Sequence, residues 1–360
     1  MTHATPKDTP SSESTPPPPR IIAWELTRRC PLNCRHCRAA AVDKPHPGEL
    51  STEQAIALLD NIASFAHPLM ILTGGEPLLR SDVFDLADHA RTLGLPTAIA
   101  LCGAGLDDDI AARIHHAGIR AVSVSLDGPD AASHDDFRRS LGAFDAALAG
   151  IATLRRQNLP VQINSTLTRR NAHQLEALLR LAEAVGAATF NPFLLVPTGR
   201  GRELADEALP PEQYESLLHQ LKNLRHTTSL VIRVTCAPHY QRILREDPTE
   251  NQINHSPGGC LGGKSFAFIS HTGQVQICGF LETSAGQLAP PAMDFRTIWN
   301  TSPFLDQIRR VDDYHGKCGW CEYRTLCGGC RARAYALTGD PFAPEPFCVY
   351  HPPRPAGSTH

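Results

Sequence analysis

The chain has 360 residues, 42% of them hydrophobic and 20% charged, with a formal net charge of −3. That length holds one large α/β domain and a smaller one, and the interspersed charges give no reason to expect nucleic acid or an anionic membrane as a partner. No stretch approaches the roughly 18 uninterrupted apolar residues that a membrane span requires.

Residues 1–19, "MTHATPKDTPSSESTPPPP", are rich in Pro, Ser and Thr and have no apolar run. They read as a disordered tail and not as an export signal, and residues 351–360 read as a second tail. A cytoplasmic location is therefore expected. Twelve cysteines in a reducing compartment point to metal or cluster ligation and not to disulfides.

From Ile21 onward short apolar runs alternate with longer amphipathic ones. Strands are expected at 21–26, 68–72, 97–101, 120–126, 161–167 and 188–195. Helices are expected at 52–65, 82–93, 107–117, 141–157 and 172–185, with Ser51 and Ser81 as N-caps. Six strands with a helix in each gap predict a parallel sheet with right-handed crossovers. Periodicity leaves open whether that sheet stays open or curls into a partial barrel. A further helix (211–224) and a short strand (230–234) end this region, which is assigned to residues 20–235. Residues 236–350 change character. From Pro257 they are rich in Gly, Cys and Pro, with one clear hairpin, "FAFIS-HTGQ-VQIC". The expectation is a small Cys-rich domain that lacks a patterned core of its own and folds around metal.

The first cysteine cluster, "RRCPLNCRHCRAA", spaces Cys30, Cys34 and Cys37 as C-x₃-C-x₂-C directly after the first strand. Ligand sites in parallel βα architectures lie at that end of the strands. A zinc site is ordinarily built from C-x₂-C pairs, and no second pair lies nearby. Three thiolates on a 4Fe–4S cube leave one iron open to a small molecule carrying amino and carboxylate groups.

C-x₃-C-x₂-C after the first strand, with "TGGEP" (73–77) after the second, resembles the radical S-adenosylmethionine (SAM) superfamily. The resemblance implies a partial (β/α)₆ barrel and a 4Fe–4S cluster held by Cys30, Cys34 and Cys37. It also implies reductive cleavage of S-adenosylmethionine to a 5′-deoxyadenosyl radical. By the same resemblance His36 takes the aromatic position near the adenine. Gly74, Gly75, Glu76 and Pro77 meet the amino group of the methionine moiety, in keeping with close backbone approach at glycine and a carboxylate facing an ammonium. Ser125, Asp127 and Asn164, at strand ends, match positions that touch the cofactor in such barrels. Strand-end hydrogen bonding to backbone is the alternative reading of these three; "GGEP" alone also reads as an ordinary turn with a capping Glu, an alternative that its pairing with the triplet, in order and on the right strands, sets aside.

The later cysteines form a second pattern: Cys260-x₁₂-Gly273-x₄-Cys278, then Cys318-x₂-Cys321-x₅-Cys327-x₂-Cys330, then Cys348. This is similar to the SPASM extension, which houses one or two auxiliary 4Fe–4S clusters. It departs in the final two-residue gap, where three is usual, and in lacking a further cysteine soon after Cys260. By analogy Cys318, Cys321, Cys327 and Cys348 form a closed set, and Cys260, Cys278 and Cys330 a set with an open iron. A zinc ribbon over 318–330 is the competing reading. Cys102 reads as a small buried residue. Cys236, in "TCAPHY", reads either as core or as a ligand.

"IAWELTRRCPLNCRHCRAAA", "LTGGEPLLR", "FLLVPTGRGREL", "RVTCAPHYQRI" and "CGGCRARAYALTGD" together resemble the radical enzymes of tetrapyrrole side-chain modification, in the haem b and haem d₁ branches. The implied reaction is oxidative decarboxylation of the two propionates of iron-coproporphyrin III to vinyl groups, giving haem b. An electron donor such as a flavodoxin or ferredoxin is implied as partner. Such a tetrapyrrole substrate carries four carboxylates and calls for cationic partners. Arg200 and Arg202 on "PTGRGREL", Arg169 after the fifth strand and Lys264 after Cys260 are the candidates, each of which can also be a solvated surface cation. Haem d₁ side-chain modification and peptide or sulfatase maturation are rival activities. A separate peptide-recognition domain, common in peptide maturases, is not visible. A passive iron–sulfur carrier has no need of "GGEP" or of a barrel.

Overall fold

A computed structural model describes residues 15–247 and 259–353; residues 1–14 and 354–360 of the expected tails, and Pro257, lie outside the described residues. Seven parallel strands run in chain order: β1 (Ile21–Glu25), β2 (Leu69–Thr73), β3 (Thr97–Leu101), β4 (Val122–Ser125), β5 (Val161–Leu167), β6 (Thr189–Leu194) and β7 (Val231–Ile232). Between them lie α1 (Thr52–Ala63), α2 (Val83–Thr92), α3 (Asp108–His116), α4 (Ala131–Arg138), α5 (Ala143–Arg156), α6 (Leu175–Ala184) and α7 (Pro211–Leu224). Helix α8 (His239–Arg245) follows β7.

The six expected strands and their helices are present to within a few residues at each end. Two corrections are local. Ser51 caps α1 with a complete capping box, its hydroxyl accepting from the Gln54 N–H. The N-cap of α2 is Asp82 and not Ser81, and its carboxylate is taken by Arg80 and by the Thr52 hydroxyl. Helix α4 was not expected, because its apolar content is low.

Alternate residues of the central strands are buried, and the others stand on the opposite face of the sheet. Among the described residues no pairing closes the ends of the sheet, so it is open.

The C-terminal region is not a separate layer. β8 (Phe266–Ile269) pairs parallel to β1 on its free edge, and β9 (Gln274–Gln276) and β10 (Gly286–Gln287) continue antiparallel, making one ten-stranded sheet. Helices α9 (Phe295–Thr301), α10 (Pro303–Arg309), α11 (Lys317–Trp320) and α12 (Arg331–Thr338) complete the chain. Val275, Ile277, Met293, Phe295, Trp299, Leu305 and Ile308 are fully buried and belong to the same apolar cluster as β1–β6. The segment thus has no core of its own but shares that of the main sheet. Its apolar residues are too irregularly spaced to read as a face, because they fill a shared interface. The tail docks in part as well: Pro19 is buried, and the Pro17 carbonyl accepts from the Trp299 indole at 3.0 Å.

Candidate active site

β1 ends on Glu25, and the cysteine loop begins five residues on. Glu25 is fully buried and braces both ends of the loop, pairing with Arg28 Nε and Arg38 Nη1 at 3.0 Å each. His271, from the β8–β9 turn, adds a third contact at 3.0 Å. Burial alone would raise this carboxyl, but the Arg38 guanidinium, with His271 and Arg28, outweighs it and holds the pKa at about 2. A lone Glu at a strand end carries no sequence signal of this role.

Cys30, Cys34 and Cys37 cluster with Leu32, Ala39 and Ala41, with Cys102 packed against them. The loop is tied back on itself: the Cys30 N–H donates to the Val42 carbonyl at 3.1 Å, and the Ala41 N–H points at Cys37 Sγ at 3.4 Å. Burial pushes the Cys30 thiol up to about 12 and raises Cys34, with Arg138 opposing the latter. Burial thus keeps these groups as neutral thiols in the ligand-free protein, and a metal group would have to take them as thiolates. A soft all-thiolate donor set suits an iron–sulfur group.

"GGEP" lies against this loop, in register with it. The Gly75 N–H donates to the Thr27 carbonyl at 2.7 Å and the Glu76 N–H to the Arg29 carbonyl at 2.8 Å. A Cβ on Gly74 would stand 2.4 Å from Thr27 O, and one on Gly75 2.3 Å from Arg29 O. The glycines are therefore required first by contact with the cysteine loop. Glu76 is buried; its carboxylate caps the turn at Pro77–Leu79 by accepting from the Leu78 N–H at 3.3 Å, and it accepts from the Cys102 N–H at 2.8 Å.

The far side of the loop rests on α4, where the unforeseen residues are found. The His36 ring stacks on Phe137 with centroids 4.5 Å apart, and burial lowers its pKa to about 4, leaving it neutral. Its Nδ1 is buried without a partner. Arg138 reaches Asp127 Oδ2 at 2.6 Å and points Nη1 at Cys34 Sγ at 3.5 Å. Asp127 also accepts from the Thr166 N–H at 2.7 Å. Ser125, Asn164 and Asn191 are register partners across β4, β5 and β6. Asn164 Oδ1 accepts from Gln162 and Asn191, and Asn191 Oδ1 from the Thr235 hydroxyl. A polar row thus crosses β4, β5 and β6, within which Asn164, Asn191 and Thr235 are joined by hydrogen bonds.

The four candidate substrate cations part company. Arg200 is turned inward, Nε donating to the Cys34 carbonyl at 2.9 Å and Nη1 to the Ala41 carbonyl at 2.7 Å. It is not the open fork expected for a carboxylate; only Nη2, buried and unpaired, is left. Arg169 and Arg202 are exposed. Lys264 stands apart from both, its ammonium beside Gly328 and the thiols of Cys260 and Cys327.

Cys318, Cys321, Cys327 and Cys348 line one cavity together with His239, Arg242 and Lys317. Arg331 Nη2 points at Cys318 Sγ at 3.7 Å. The Cys260 N–H donates to the Cys327 carbonyl at 3.0 Å, joining this set to the other C-terminal cysteines. All twelve cysteines are unpaired thiols. Among the described residues no three or more His, Cys, Asp or Glu side chains are grouped so as to hold a single metal ion, and no helix is long and apolar enough to cross a membrane.

Residues 24–182 match the Radical SAM superfamily. The fold is similar to that of Streptococcus suis SuiB bound to S-adenosylmethionine, with a TM-score of 0.74, 15% identity, and coverage of 92% of this chain and 78% of that one. The chain is 34% identical over 361 residues to the pre-heme d1 synthase of Dinoroseobacter shibae, covering 92% of this chain and 89% of that protein. It is 44% identical over 351 residues to the AdoMet-dependent heme synthase of Nitratidesulfovibrio vulgaris, covering 95% of each. Identity at that level across nearly the whole of both chains exceeds what a shared fold alone produces, and the protein belongs to the radical SAM superfamily, in the group that contains the AdoMet-dependent heme synthases.

Proposed function

We propose that this enzyme converts iron-coproporphyrin III to haem b by oxidative decarboxylation of two propionates. The observation that carries the reading is the 44% identity, end to end, to an AdoMet-dependent heme synthase. For each propionate, one hydrogen atom is abstracted, carbon dioxide leaves, one electron departs and a vinyl group remains.

Cys30, Cys34 and Cys37 would hold a 4Fe–4S group. With S-adenosylmethionine beside it, that group supplies the one-electron reduction that generates the hydrogen-abstracting species. The chain's own residues prepare the place. Arg138 puts a positive charge and an N–H on Cys34 Sγ, an outer contact of the kind that tunes cluster potential. Gly74 and Gly75 let the backbone beside Glu76 and Pro77 close on the cysteine loop. Neutral His36 offers Nδ1, while Ser125, Asp127 and Asn164 bring polar groups to the strand ends for the nucleoside and amino-acid portions. Arg169 and Arg202, both exposed, would be the cations left to meet propionates arriving from solvent.

Cys318, Cys321, Cys327 and Cys348 would hold an auxiliary 4Fe–4S group, and Cys260, Cys278 and Cys330 belong to a second such site. The departing electron needs an acceptor of this kind, and the barrel site needs a reductant of flavodoxin or ferredoxin type. Free thiols throughout suit the reducing cytoplasm.

The test is anaerobic turnover of the reconstituted, reduced enzyme with S-adenosylmethionine and iron-coproporphyrin III, followed by mass spectrometry. Two successive losses of carbon dioxide plus two hydrogens are expected, with one 5′-deoxyadenosine per loss. An untouched porphyrin alongside accumulating 5′-deoxyadenosine would reject this substrate and make haem d₁ precursors the next to assay.

A further inference from the structure

Cys236 follows Thr235, whose backbone pairs with Pro192 and Leu194 at the end of the sheet. Its φ of 60° lies in the left-handed region, which a residue with a Cβ adopts at a cost and which persists only where the surroundings impose it. They do so here. The Cys236 carbonyl accepts from Arg333 Nη2 at 2.8 Å and from the Tyr214 hydroxyl at 3.3 Å. Arg333, fully buried, lies on α12, whose N-cap is Cys330. Its other bonds run to the Leu194 and Leu195 carbonyls and to Glu345, which in turn accepts from the Cys330 N–H at 2.8 Å. One guanidinium thus fixes Cys236 relative to Cys330.

We infer that Cys236 is the fourth ligand, with Cys260, Cys278 and Cys330, of a second, closed auxiliary iron–sulfur site. Cys330 belongs to the main apolar core, and Cys236 and Cys278, half-buried, pack against that core. The Cys236 thiol is within electrostatic reach of the Cys330, Cys278 and Cys260 thiols, and those three are in reach of one another. A small core residue needs neither a left-handed backbone nor three sulfur neighbours. Four soft thiolate donors are the ligand set of an iron–sulfur cluster. The inference rests on the reading that the C-terminal cysteines hold auxiliary clusters, and it replaces the open iron expected of the three-cysteine set. With four protein ligands the site has no vacant iron for substrate, which makes it a site of electron transfer.

The test uses full-length protein carrying Cys30→Ala, Cys34→Ala and Cys37→Ala, so that only C-terminal iron is counted. After anaerobic reconstitution, adding Cys236→Gly, which removes the thiol and relieves the backbone conformation, should lower iron by up to about four per chain and change the reduced EPR signal, as Cys278→Ala should. Without any change at Cys236, the reduced signals should be insensitive to cyanide and imidazole. Cys236→Gly leaving iron content and signal intact while Cys278→Ala loses them would overturn the inference, as would a cyanide-shifted signal. If Cys278→Ala and Cys330→Ala also leave iron unchanged, the second auxiliary site of the preceding section fails along with it.

Discussion

Arg200 holds the cysteine loop at two points, donating from Nε to the Cys34 carbonyl at 2.9 Å and from Nη1 to the Ala41 carbonyl at 2.7 Å. Gly199 lets it approach: a Cβ there would stand 2.2 Å from Arg38 O. Hydrogen bonds from a charged donor contribute roughly 1.5–3 kcal/mol each. Arg200→Ala is expected to destabilise the loop on that scale and to speed loss of barrel iron to a chelator, with C-terminal iron retained. Arg200→Lys, lacking the fork, should recover only part of this. A variant that keeps its iron and shows only a higher KM for porphyrin would return Arg200 to the substrate.

Gly75→Ala tests the contact between "GGEP" and the loop. The new methyl would stand 2.3 Å from Arg29 O, a backbone atom that cannot swing aside. Forcing extra volume into a packed site costs about 1–3 kcal/mol, so a lowered Tm is expected for the apo-protein. S-adenosylmethionine binding, measured by calorimetry, should weaken in step. Normal binding with an unchanged Tm would mean that the strand end and the loop are not tied to each other.

The sheet was legible because buried parallel strands leave compact apolar runs between amphipathic helices, and β3, β5 and α7 match their expected bounds. The cysteine triplet and "GGEP" were legible as short motifs at strand ends. What escaped was carried by long-range pairing. Helix α4 is short and polar outside, and Arg138 reaches Cys34 across 104 positions. The β8–β9 hairpin was visible, but nothing in its residues says that it extends the main sheet at β1. Arg200 looked like a substrate cation because a guanidinium beside glycines gives no sign of whether it faces a ligand or a carbonyl.

Asp127 and Arg138 form a buried pair at 2.6 Å. Burial opposes the Asp127 charge, yet Arg138, with His36 and His134, holds the carboxyl below its usual range. Removing one partner of such a pair costs about 3–5 kcal/mol because the other is left as an uncompensated charge. Asp127→Asn is expected to lose that much in urea unfolding, and Asp127→Asn with Arg138→Leu to lose less than the single variant. Strict additivity in the double-mutant cycle would show the two side chains to be uncoupled.

His134 should give the protein a measurable acid sensitivity. Its Nδ1 accepts from the Asp127 N–H at 3.2 Å, so the ring must stay unprotonated at that nitrogen. Burial, followed by the Arg138 charge, lowers its pKa to about 4, against the opposing pull of Asp127 and Asp135. Below the unfolded value of 6.5 the unfolded chain binds a proton that the folded chain does not. The contribution is therefore complete above that pH, falls away as pH drops towards 4, and levels off below it. A shift of this size corresponds to up to about 3 kcal/mol. His36 and His239 are shifted in the same direction, so the measurement is a difference. Urea unfolding of the apo-protein and of His134→Gln is compared at steps from pH 7 to pH 4. The wild type should lose stability faster across that window, with most of the gap appearing below pH 6. Parallel curves would show that the His134 ring gains its proton as readily when folded as when unfolded.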